Sequence, residues 1–154
     1  MVVPEDGSLR PFQKLPRSFR LKRKRLIRPL FDRNREDVGT VSKGCIRLVY
    51  RIVSRAQLEA DAPVQIGFAP SRHAKAASRN RIKRLLRETY RLHQQGILDR
   101  FSGAERALTM MIIHRAGRQD DARPGFRVHA DLPEALQELC RRLDESSMRS
   151  ERHT

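Results

Sequence analysis

A single α+β domain is expected of this chain, on three grounds. Segments that alternate apolar and polar residues like strands are interspersed with segments of helical periodicity. The 154 residues, 38% of them hydrophobic, suffice for one modest core and not for two. Residues 1–14 and 144–154 carry polar and charged residues without periodicity, so they read as flexible tails around a domain over 15–143.

The first periodic segment is Leu21 to Phe31, where Leu26, Ile27, Leu30 and Phe31 share one helical face. Pro29 removes a backbone donor and clashes with the carbonyl of Arg25 inside a helix. Either the helix starts late, near Lys24, or it is kinked. Cys45 to Val53 alternates as a strand: Ile46, Leu48, Tyr50 and Ile52 fall on one face, Arg47, Val49 and Arg51 on the other. Val64 to Ala69 is a second strand, bounded by Pro63 and Pro70. Leu108 to His114 is apolar on both faces and is therefore expected to lie centrally in the sheet. In the last helix Asp131 is the expected N-cap, with Glu134 completing a capping box. Leu132, Ala135, Leu136, Leu139, Cys140 and Leu143 then form its core face.

The remaining helix, Ser78 to Leu92, carries the chemistry. Ile82, Leu85, Leu86, Thr89 and Leu92 gather on one side at about 100° per residue. Arg79, Lys83, Arg84, Arg87 and Arg91 gather on the other with Asn80 among them, and Arg81 adds a further cation. Glu88 is its one acid, spaced to pair with Arg84. A solvated helix face usually mixes charge signs, and this one does not. Guanidinium forks suit phosphate oxygens, and an amide can reach a sugar, a phosphate or a base edge. The approach to the helix adds Arg72, Lys75 and His73, the last an ordinary exposed loop residue on its own. A second polybasic stretch, Arg17 to Arg25, precedes the first helix.

The whole chain has 33 Lys+Arg against 18 Asp+Glu, a formal charge of +15, which calls for a polyanionic partner. No apolar run is long enough to span a bilayer, and the first ten residues lack a signal-peptide pattern. A basic amphipathic helix can lie on a membrane, but this one lacks Trp and Phe on its apolar face and is needed to cover a sheet. Cys45 and Cys140 sit in apolar patterns and are expected as buried thiols of a reducing cytoplasm. The acids are dispersed among loops, and no phosphate loop, nucleophile elbow or metal-binding pattern accompanies them. No catalytic residue and no metal ligand is therefore assigned to this chain.

The run Arg79-Asn80-Arg81-Ile82-Lys83-Arg84-Leu85-Leu86-Arg87-Glu88 resembles the signature of the bacterial ribonuclease P protein family. Leu15 to Lys22, Leu30-Phe31, Val64 to Phe68 and Met111 to Ala116 resemble the family's surrounding segments. The resemblance implies an α/β sandwich in α-β-β-β-α-β-α order, ribosomal protein S5 domain 2-like. Its four-stranded sheet would have a left-handed β-α-β crossover, an exception to the usual hand. The fourth strand would lie near Gly39 to Lys43 or arise from a split of the long second segment.

It further implies that the basic helix docks on a catalytic RNA, one protein per RNA, with Arg79, Asn80, Arg81, Lys83, Arg84 and Arg87 matching the signature; the charge pattern adds Arg91 on the helix and Arg72 and Lys75 in its approach as expected contacts. A cleft would take the 5′ leader of precursor tRNA. There Phe31 and Tyr50 match aromatic positions, and Ile27 stands where an aromatic is common. The RNA would cleave with Mg²⁺ bound mainly by itself, the protein binding none and residing in the cytoplasm. A plain RNA-binding module, such as a ribosomal protein or an RNA chaperone, shares the charge and size. The register of the basic signature distinguishes the first reading from it.

Overall fold

The computed structural model describes residues 15–58, 61–70, 75–115, 123 and 125–152, the last four by backbone alone. The stretch 1–14 and the loop residues Arg72 and His73 lie outside them. Four strands, β1 (Val38–Lys43), β2 (Ile46–Ser54), β3 (Val64–Ala69) and β4 (Arg106–His114), form one sheet in the order β1-β2-β4-β3. The helices are α1 (Lys24–Ile27), α2 (Ala76–His93), α3 (Gln95–Phe101) and α4 (Val128–Arg152). The fourth strand is thus a separate segment pairing with β2 in a tight hairpin. Gly44, at φ 53°, makes the turn, and a Cβ there would meet the Asp131 carboxylate.

β4 is interior, as its two-faced hydrophobicity requires: it pairs antiparallel with β2 and parallel with β3. The parallel pair is joined through α2 and the short α3, an element not anticipated from the sequence. Strand alternation divides the core in two. Ile46, Leu48, Val64, Ile66, Leu108, Met110 and Ile112 face α2, α3 and α4 in the larger cluster. Val49, Val53 and Ala107 face Leu21, Leu26 and Leu30 of the N-terminal segment in the smaller one.

That segment is held by packing and by β3. The Leu21 N–H donates to the Ile66 carbonyl at 3.0 Å, beside an Arg20–Ile66 bridge on the free edge of β3. A four-residue helix cannot persist alone, but Leu26 and Leu30 are 2% and 3% exposed. Their burial contributes about 1.5–3 kcal/mol each. Pro29 has a clear consequence: the helix starts at Lys24, then tightens into a 3-10 turn over Arg28–Phe31.

Two expectations for the last helix are corrected. Asp131 is not its N-cap, because α4 begins one turn earlier at Val128. Its carboxylate instead accepts the Cys45 N–H at 2.9 Å and faces Arg127, tying the β1–β2 turn to the helix. Burial pushes the carboxyl up, but the Cys45 N–H and Arg127 outweigh it and leave it below its ordinary value. The helix also continues to Arg152, through residues whose composition reads as a tail. Leu143 is the last buried residue on it among the described side chains, and the extension carries local interactions such as Arg141–Glu145.

Candidate nucleic-acid interface

α2 buries Ile82, Leu86, Thr89 and Tyr90 against the sheet and α4. Tyr90 meets Phe68 of β3 edge-on, ring centroids 6.1 Å apart, and is wholly buried. Leu92, expected on the core face, is 55% exposed. Tyr90 and Leu92 lie about 80° to either side of Ile82; Phe68 makes the Tyr90 side the buried one.

The opposite side is cationic. Lys75, Arg79, Asn80, Arg81, Lys83 and Arg84 are exposed, and Arg87 is half-buried. Arg81, Lys83, Arg84 and Arg87 meet no acid among the described residues. The first turn contains no acid and no side-chain cap, so the partial positive charge of the helix N-terminus adds to the same field.

Arg91 departs from the expected ridge. Its side chain is 9% exposed and pairs with Glu88 at 2.9 Å, so Glu88 goes to Arg91 and not to Arg84. The pairing removes the one acid from the basic face and leaves Arg84 open to solvent. Arg91 therefore neutralises a neighbour where the sequence reading made it a contact.

A second feature lies across the sheet. Leu30, Phe31, Asp32, Arg33, Arg35, Val38, Thr40, Arg47, Val49 and Ile113 line a cleft of about 300 Å³ between the 3-10 turn and β1–β2. Phe31 stands in its wall, 53% exposed. Arg35 and Arg51 both bind Asp37, at 2.9 and 2.8 Å, and hold its carboxyl far below the carboxylate range. Tyr50 is not in this cleft. It alternates onto the helix-covered face, where its ring lies over Gly39, whose absent side chain leaves the space. Ile27 packs beneath the cleft with the smaller cluster and takes no part in the lining. Sequence reading missed Arg33, Arg47, Val49 and Ile113. The signal for Arg47 was present: a cation on the face of β2 opposite its main apolar row.

Neither feature has the donors of a metal site. Among the described residues no three His, Cys, Asp or Glu side chains come together. Arginines engage Asp37, Asp131, Glu138 and Asp144. Cys45 and Cys140 form no disulfide and are only half-buried, and burial pushes the Cys140 thiol up, away from reactivity. No helix among the described residues is long and apolar enough to cross a membrane.

Comparison with curated protein sequences gives no match. Among solved structures, the Staphylococcus aureus RNase P protein shares the fold with a TM-score of 0.54. It is 18% identical over 79% of this chain and 94% of that one. The profile of the Ribonuclease P family matches residues 15–140, most of the chain, including all of α2, the sheet and the cleft. The chain belongs to that family, as a bacterial ribonuclease P protein component.

Proposed function

We propose that this chain is the protein subunit of a cytoplasmic ribonuclease P ribonucleoprotein, binding the catalytic RNA through α2 and the 5′ leader of precursor tRNA through the cleft. The observation that carries the reading is the exposed cationic face of α2, from which Arg91 has withdrawn the one acid. Lys83, Arg84 and Arg87 meet phosphates there, and Asn80 supplies a neutral hydrogen-bonding group. The sheet separates this face from the cleft, so two RNA segments can be held at once. Lys75 and Arg72 extend the helix contact.

In this reading hydrolysis belongs to the RNA, with Mg²⁺ on RNA oxygens; among the described residues Asp37, Asp131 and Glu138 are held by arginines, and no three potential metal ligands come together. What the protein does is neutralise, orient and hold. The test is reconstitution with a bacterial ribonuclease P RNA and precursor tRNA at low Mg²⁺. The expected result is that adding the protein restores leader removal and that protein without RNA cleaves nothing. Processing by RNA-free protein, or no stimulation, contradicts the reading. Non-selective stimulation of unrelated ribozymes would favour an RNA chaperone instead.

A further inference from the structure

We infer that Phe126, in the turn before α4, receives the base of an unpaired nucleotide in the RNA that α2 docks on, with Arg81 and Arg123 at the neighbouring phosphates. This deepens the reading of α2 as an RNA-binding helix and rests on it. Among the described residues only two aromatic side chains are exposed, Phe31 and Phe126. Phe31 belongs to the cleft. Phe126 is 39% exposed and packs into neither core cluster, so the fold itself makes little use of its ring.

The turn fixes the ring beside α2. The Phe126 N–H donates to the Arg123 carbonyl at 3.1 Å, and Gly125 takes φ 77°, a conformation that side chains disfavour. Gly125 is buried against the helix: a Cβ there would come within 2.9 Å of Leu85 Cδ1 and 3.4 Å of Ile82 Cγ1. The Val128 N–H then donates to the Gly125 carbonyl at 3.0 Å, so α4 starts directly behind the turn. Arg81 is the cation of the same flank of α2. It lies one turn before Leu85, about 40° from it around the axis and about 120° from Arg87 on the basic ridge. Arg81 and Arg123 are exposed and meet no acid among the described residues, whereas Arg127 is committed to Asp131. An exposed ring flanked by open guanidinium groups suits a nucleotide: the π face takes any base, and the cations take phosphates. An apolar protein surface seated there would have to bury those unpaired charges, so RNA is the occupant.

The chain contains no Trp, so Phe126→Trp introduces a single indole while keeping a π face. Its emission is followed as the full chain is titrated with a bacterial ribonuclease P RNA. Leu92→Trp, at an exposed position two turns beyond Leu85, is the control. Base stacking is expected to quench the indole of Phe126→Trp, saturating with binding, and to leave that of Leu92→Trp largely unquenched. Affinity for the same RNA is measured across monovalent salt, with each variant checked for folding by circular dichroism. Phe126→Leu, which stays apolar but loses the π face, is expected to bind about 5- to 10-fold more weakly with the salt slope unchanged. Arg81→Ala is expected to flatten the slope by about 0.7 to 0.9. A wild type that does not bind the RNA overturns the reading of α2 and this inference together. A wild type that binds, with Phe126→Trp unquenched or quenched no more than Leu92→Trp, overturns this inference alone. So does a folded Phe126→Leu that binds like wild type.

Discussion

Asp131 shows how much one misplaced role can change. As an N-cap it would have served its own helix; in the first turn of α4 it satisfies the Cys45 N–H across 86 residues of chain. Asp131→Ala removes that acceptor and is expected to cost about 1–3 kcal/mol in denaturant unfolding. Because its folded carboxyl lies below the ordinary value, the stabilisation is present above about pH 4 and is lost as pH falls through the folded value. Asp131→Asn should therefore show a flatter loss of stability on acidification than wild type. Tyr50 is a second case. Its ring lies over Gly39 on the helix-covered face, so Tyr50→Ala should lower the melting temperature and leave the preference for precursor over mature tRNA unchanged. Loss of that preference in a folded variant would return Tyr50 to the leader.

At the scale of elements, the N-terminal segment has no stability of its own. Truncating Leu26 removes one of its two deepest anchors, and Leu26→Ala is expected to cost about 2–5 kcal/mol by chemical denaturation. The cleft wall, which the same segment forms, should loosen with it, whereas the surface of α2 on the other face should keep its RNA affinity. Equal loss at both surfaces would show that the faces are not independent. The strands were legible because period-2 patterns and flanking prolines are local signals: β3 falls on Val64–Ala69 as expected. The basic face of α2 was legible because charge sign needs no tertiary information. What escaped was decided by packing across the chain. The placing of Tyr50 depends on which sheet face the helices cover, and that of Leu92 on which flank of α2 meets Phe68. α3, seven residues long, is too short to show a period. The extension of α4 beyond Leu143 has no apolar stripe to mark it.

For the whole molecule, a formal charge of +15 is distributed to function. Several acids on α4 are engaged by arginines: Arg141 and Arg142 of the same helix hold the Glu138 carboxyl down to about 2, and Arg100 of α3 holds Asp144. The cations of α2 are left open, and an RNA partner is what neutralises them. If RNA neutralises that face, binding must release counterions from the RNA. The measurement is binding to ribonuclease P RNA from low to moderate salt, for wild type, Lys83→Ala, Arg87→Ala and Asn80→Ala, each checked for folding by circular dichroism. Affinity should fall linearly on a log–log salt plot, with a slope of about −0.7 to −0.9 per phosphate neutralised. Each charge variant should flatten the slope by about one unit. Asn80→Ala should lower affinity with the slope unchanged, because it removes a hydrogen-bonding group and no charge. Folded charge variants that bind like wild type at every salt concentration would show that the face is merely solvated, and would contradict the account.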